Sequence, residues 1–207
     1  MSKRSLKPGT MLNPLPVVMV SCGKEESEYN IMTVAWTGII NSEPPMTYVS
    51  IRKSRLSHEI IKKNATFVIN LCNEKLVKTV DYCGVVSGRD INKFKEMRLT
   101  AIKGEKTGCV MIEECPFNIE CKVTNIVEYG SHDMFVAEIV GVHADEALFS
   151  RSDKLLFEKA DLVVYNHGDY FALEKTSLGR FGHSVMKEKT KKRLAGENRA
   201  RLRTKKR

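Results

Sequence analysis

Residues 30–58 read N-I-M-T-V-A-W-T-G-I-I-N-S-E-P-P-M-T-Y-V-S-I-R-K-S-R-L-S-H, and this stretch constrains the chain more than any other. Two apolar, β-branched runs flank a turn at Pro44 and Pro45 and read as strands. The second run ends in two arginines, a lysine and two serines, and a helical pattern begins at once with H-E-I-I-K-K. Cations and hydroxyls at a strand-to-helix junction suit a phosphate. The free N–H groups and the positive end of the helix dipole face an anion there, and a guanidinium fork can grip it. The first run carries the only tryptophan, Trp36, among small residues. Together these features suggest a phosphorylated aromatic cofactor lying against one strand, its phosphate tied down at the end of the next.

The rest of the chain repeats the strand signal. Residues 17–22, 31–41, 46–52, 65–71, 108–112, 117–129 and 133–144 read as strands, and 161–173 as a strand, a turn at 166–168 and a short return. Helical spacing marks 56–63, with Ser54 or Ser57 as candidate N-cap, then 74–83 and 92–97. Many short strands with a few helices predict a mainly β fold, a β-barrel with inserted helices, rather than a parallel α/β sheet. Neither G-x-G-x-x-G nor G-x-x-x-x-G-K-[ST] occurs, which argues against a Rossmann fold or a P-loop.

Charge divides the chain. From Lys187 onward there are eleven Lys/Arg and two Glu, so the whole formal charge of +9 sits there and residues 1–186 sum to zero. The expected organisation is one domain over 1–186 and a basic tail over 187–207, solvated by like-charge repulsion or docking an acidic partner. A neutral body makes nucleic-acid binding an unfavoured reading. No window reaches the ~18 apolar residues of a membrane helix, and the start M-S-K-R-S-L-K-P-G-T lacks the apolar core of a secretory signal. No membrane association and a cytoplasmic location are expected. The six cysteines contain no C-x-x-C pair and the five histidines are scattered, so free thiols are expected and no metal site. No Ser-His-Asp or Cys-His arrangement stands out, and no catalytic side chain is assigned.

Several motifs resemble the flavin reductase-like, FMN-binding split-barrel family, and within it the flavoredoxin branch. They include N-I-M-T-V-A-W-T-G, S-I-R-K-S-R-L-S-H-E-I-I, F-V-I-N-L, D-Y-C-G-V-V-S-G-R-D-I-N-K-F, E-C-P-F-N-I-E-C, H-D-M-F-V-A-E-I, V-H-A-D-E and L-G-R-F-G-H-S-V. They run in family order across roughly residues 10–186. The resemblance implies a split β-barrel of Greek-key type with FMN as cofactor. On it, Arg52, Arg55, Ser57 and the N–H groups around Ser57 and His58 would hold the phosphate, and Ser50 and Ile51 would lie under the ribityl chain. The backbone of Met32, Thr33, Val34, Ala35 and Trp36 would run along the ring edge. Lys93 and Phe94 would close the site and Cys83 and Gly84 would edge it, with Lys93 stabilising negative charge on the reduced ring. His143 carries no assigned role; His132 and His167 are undecided. The resemblance further implies a homodimer with the cofactor near the interface. Electrons would come from NAD(P)H or from an iron–sulfur or ferredoxin-like protein. The alternative is an FMN-binding carrier or sensor without NAD(P)H turnover.

Overall fold

Alternating apolar side chains along the predicted strands become one antiparallel sheet with two small satellites. In chain order the strands are β1 (Leu15–Pro16), β2 (Val18–Cys22), β3 (Asn30–Val34), β4 (Thr37–Ser42), β5 (Pro45–Arg52) and β6 (Thr66–Leu71). Then come β7 (Ala101–Lys103), β8 (Val110–Ile112), β9 (Phe117–Glu128), β10 (His132–Ala144), β11 (Val163–Asn166) and β12 (Asp169–Ala172). Over residues 1–173 the α-helices are α1 (Leu56–Asn64), α2 (Val77–Val85) and α3 (Lys93–Glu96). The computed structural model describes residues 1–174, 176–187 and 190. Most of the basic tail expected over 187–207 therefore lies outside the described residues. The chain divides into Met1–Leu173 and Glu174–Arg207; in the second unit the described residues include a short 3-10 turn, His183–Val185.

The main sheet has seven strands in the order β3-β2-β6-β9-β10-β5-β4. Its two edge strands, β3 and β4, are consecutive in the chain and joined only by Ala35 and Trp36. A flat sheet of seven strands would hold its edges about 28 Å apart, whereas a two-residue link reaches about 10 Å. The sheet must therefore curl until its edges meet. The Ser50 N–H donates to the Trp36 carbonyl at 2.9 Å, which carries the β4–β5 ladder one rung past Thr37–Val49 into the link. Inside the barrel, the inward positions of each strand supply the core: Val18, Val20 and Cys22 of β2, Met32 and Val34 of β3, Val49 and Ile51 of β5, Phe67 and Ile69 of β6, Phe135 and Ala137 of β10. Ile61 of α1 joins them.

A second apolar layer forms outside the barrel. Met19 of β2 and Ile31 of β3 pack with Val80 and Cys83 of α2, Phe94 of α3 and Val110 and Ile112 of β8. One buried amide fastens β8 to the barrel wall. Asn70 donates through Nδ2 to the Met19 carbonyl (2.8 Å) and Ser21 Oγ (2.9 Å), and accepts at Oδ1 from the Ile112 N–H (3.1 Å) and Asn118 Nδ2 (2.8 Å). A buried polar side chain persists only when satisfied in this way.

Three local expectations need correction. The single strand expected over 31–41 is two strands on opposite edges, because Ala35 and Trp36 make the seam. The short strands Leu15–Pro16 and Ala101–Lys103 were not foreseen; the first spans two residues and carries no pattern of its own. Neither Ser54 nor Ser57 caps α1, since Arg55 stands at the N-cap position. All six cysteines are free and buried.

Candidate functional site

The chain reverses between β5 and α1 over residues 52–55, with the Arg55 N–H bonded to the Arg52 carbonyl at 3.0 Å. Arg55 has extended backbone (φ −79°, ψ 136°) and its side chain makes no capping hydrogen bond. A guanidinium cannot accept one. The first N–H groups of α1 thus have no side-chain acceptor at the cap, the condition in which a helix end favours an anion. Ser57 Oγ is held from below by Asn30 Nδ2 at 2.9 Å.

The next residue pins this turn to the barrel. His58 is buried and its Nε2 lies 2.7 Å from Asp133 Oδ2 on β10. Its ring packs edge-on against Phe135, centroids 5.1 Å apart. Lys53 Nζ reaches the other Asp133 oxygen at 3.3 Å. Burial pushes the Asp133 pKa up, but the His58 hydrogen bond and the Lys53 ammonium outweigh it and hold the carboxyl below its ordinary 3.8.

Two cavities meet at this junction. The first, about 510 Å³, is polar: Arg52, Ser54, Arg55, Leu56 and Ser57 form one wall, Asn30, Met32 and Lys93 the floor, and Val86, Ser87 and Gly88 the opposite wall. Lys93 is 3% exposed, yet its Nζ is placed by two carbonyls, Ile31 O and Cys83 O, each at 2.8 Å. Burial lowers its pKa from that of a free lysine, and the nearby Arg55 charge acts the same way.

The second cavity, about 320 Å³, is a slot along the seam, and it shares Met32, Arg52 and Arg55 with the first. Thr33, Val34, Ala35 and Trp36 line one side, with Ser50 and Gly84. The other lining residues include aromatic groups from distant parts of the chain. His132, the cross-strand partner of Arg52, lies against Trp36 with ring centroids 4.6 Å apart. Burial and the Arg52 charge lower its pKa. Tyr165 and Tyr170 face each other across the β11–β12 hairpin at 5.7 Å, and the Tyr170 hydroxyl donates to Asp81 Oδ1 at 3.2 Å. Burial and Asp81 push the Tyr170 pKa to about 12, so it stays a phenol at neutral pH. Trp36 is 39% exposed, a rim residue and not a core one.

Of the residues singled out in the sequence, eleven line one or both cavities: Met32, Thr33, Val34, Ala35, Trp36, Ser50, Arg52, Arg55, Ser57, Gly84 and Lys93. The other four lie behind the walls. Ile51 is fully buried in the barrel core, and Cys83 and Phe94 belong to the outer apolar layer. His58 holds Asp133. Lys93 lines the polar cavity and not the slot. Sequence reasoning did not single out Asn30, Ser87, Gly88, Tyr165 or Tyr170, and left His132 undecided. Asn30, Ser87 and Gly88 lie within the quoted motifs; for Ser87 and Gly88 the available signal was a polar residue beside a glycine, and for Asn30 a polar residue at the head of an apolar run.

The family model for the flavin reductase like domain matches residues 11–174. The chain belongs to that family. It is 36% identical over 135 residues to an uncharacterized protein of Archaeoglobus fulgidus, covering 65% of this chain and 75% of that one. Among solved structures it is similar to flavoredoxin of Desulfovibrio vulgaris (Miyazaki F), with a TM-score of 0.81 and 30% identity over 88% of this chain and 100% of that one. The flavoredoxin of Methanosarcina acetivorans is similar at a TM-score of 0.79 and 27% identity, over 90% of this chain and 100% of that one. The mainly β architecture is the split barrel of this family. Among the described residues no helix is long and apolar enough to cross a membrane.

The pinning carboxylate gives a pH signature. Asp133 has a folded pKa below its unfolded value, so its contribution to stability is present above 3.8 and is lost as the pH falls through the folded pKa. Urea unfolding measured down this range should show stability declining with acid, and Asp133→Asn should flatten that decline. An identical slope in the variant would show that the carboxylate does not anchor α1.

Proposed function

We infer that the chain binds FMN and acts as a flavin-dependent oxidoreductase of the flavin reductase-like type. The observation that carries this reading is a pair of adjoining cavities of different chemistry that share Met32, Arg52 and Arg55. Arg52, Arg55, Ser54, Ser57 and an uncapped helix N-terminus surround one. The other is a slot walled by Trp36, His132, Tyr165 and Tyr170. The donor set fits a phosphate monoester, and the slot fits a flat aromatic ring.

Arg52, Arg55, Ser54, Ser57 and the first N–H groups of α1 would hold the phosphate, with Lys93 adding positive charge at that end. Ser50 and the backbone of residues 32–36 would lie along the ring and its polar edge. Bound FMN would supply the redox chemistry, taking up a hydride or single electrons and giving them back. The protein's part is to bind and orient it, exclude water from one face and keep cations near developing negative charge. No side chain is assigned proton transfer to substrate. The chain would work in the cytoplasm as a homodimer; Ile39 and Ile40 of β4, 74% and 48% exposed, are apolar surface that a second copy would cover.

The physiological electron source divides the reading. NAD(P)H would make the protein a reductase. An iron–sulfur or ferredoxin-like donor would make it a carrier, and the 30% identity to a flavoredoxin favours this second form. Arg52→Ala or Arg55→Ala should weaken FMN binding by about 1.5–3 kcal/mol with the fold retained; wild-type affinity in both variants rules out this phosphate site. Anaerobic addition of NADH and then NADPH to the FMN-loaded protein should bleach the flavin band if it is a reductase. Bleaching by dithionite alone identifies the carrier.

A further inference from the structure

The wall of the polar cavity opposite α1 is a short loop, residues 86–90, hung between two fixed points. At one end Val86 closes α2, its N–H bonded to the Tyr82 carbonyl at 3.0 Å. Beyond the loop, Lys93 opens α3 and is anchored through Nζ to Ile31 and Cys83. Between these points the loop crosses toward α1. There the Arg89 guanidinium forms an ion pair with Glu59 of α1, with both side chains half exposed. Neither residue lines the cavity itself.

A second contact locks the loop from inside. A Cβ placed on Gly88 would lie 2.0 Å from Asn30 Oδ1. Asn30 is buried and donates to Ser57 at the start of α1, so it has little room to yield. Only glycine lets the loop lie this close. Asn30 therefore touches both walls at once, one through each end of its amide.

We propose that residues 86–90 form a strap across the polar cavity, latched by Arg89–Glu59, and that the latch sets how fast the phosphorylated cofactor leaves. This rests on the FMN reading above and extends it to retention. A carrier must keep its flavin between partners, whereas a reductase that supplies free flavin must release it. An intact latch favours keeping it. Both latch side chains are about half exposed, 47% for Arg89 and 55% for Glu59, so the pair is one that salt can weaken.

The test is the rate of FMN release from the full-length holoprotein, read as the return of free-flavin fluorescence after dilution. Arg89→Ala and Glu59→Gln should each speed release by roughly twofold to fivefold, the weight of one exposed ion pair. FMN association should speed up by a similar factor, since a strap across the cavity slows entry as well as exit, and the thermal midpoint should move by no more than one exposed ion pair allows. The charge swap Arg89→Glu with Glu59→Arg should restore slow release, and added salt should speed release from wild type but not from Arg89→Ala. Gly88→Ala, which lifts the strap or displaces Asn30, should speed release by about tenfold or more. Release at the wild-type rate from both Arg89→Ala and Gly88→Ala overturns the strap while leaving the FMN reading intact. Wild-type protein that takes up no FMN at all overturns both.

Discussion

Two residues, Ala35 and Trp36, join the two edges of a seven-stranded sheet, and that short link is what closes the barrel. The consequences run through the whole site. Closure brings β3 beside β5, while the link itself stays tied to β5 through the Ser50 N–H and the Trp36 carbonyl, one rung beyond the β4–β5 ladder. It leaves the indole at the rim, because a side chain at a seam has no neighbouring strand to bury it on one side. It also aligns the slot with the end of β5, where the chain turns into α1 carrying Arg52 and Arg55. The aromatic end and the cationic end of the cavity are thus set at a fixed separation by one covalent constraint.

Electrostatics then act on a prepared frame. A body with no net charge over residues 1–186 still gathers Arg52, Arg55 and Lys93 around one polar cavity. Holding like charges together costs free energy that some other interaction must offset. Part of the offset is visible: Asp133 ties His58 and Lys53 to β10, and the carbonyls of Ile31 and Cys83 receive the buried ammonium. Among the described residues no carboxylate lines the polar cavity itself. An incoming dianion would complete the balance, which is the physical content of the proposed phosphate site.

Much of this was legible before the structure, but only where the signal is local. Arg52, Arg55 and Ser57 could be read because a strand-to-helix handover and its cations lie within six consecutive residues. Apolar, β-branched runs bounded by turn and charged residues marked most strands and hence the mainly β fold. Alternation also implies that a strand's neighbouring residues face opposite ways, and this separates Ile51 in the core from Ser50 and Arg52 in the cavity. Proximity in sequence alone could not make that distinction for Cys83 and Gly84 or for Lys93 and Phe94. His132, Tyr165 and Tyr170 were beyond reach for a different reason. They arrive through pairings such as His132 with Arg52, eighty positions apart, which depend on sheet register. The same limit hid the seam, since 31–41 looks like one strand until its two halves are seen on opposite edges.

The central claim is that a phosphate monoester is what the cationic end recognises. The most direct measurement is a fluorescence titration of the flavin-free protein with FMN and, in parallel, with riboflavin, which carries the same ring and ribityl chain without the phosphate. The account predicts that FMN binds roughly a hundredfold more tightly or better, since two charge-assisted contacts are lost with the phosphate. Equal affinity for the two flavins, or no binding of either, would contradict it.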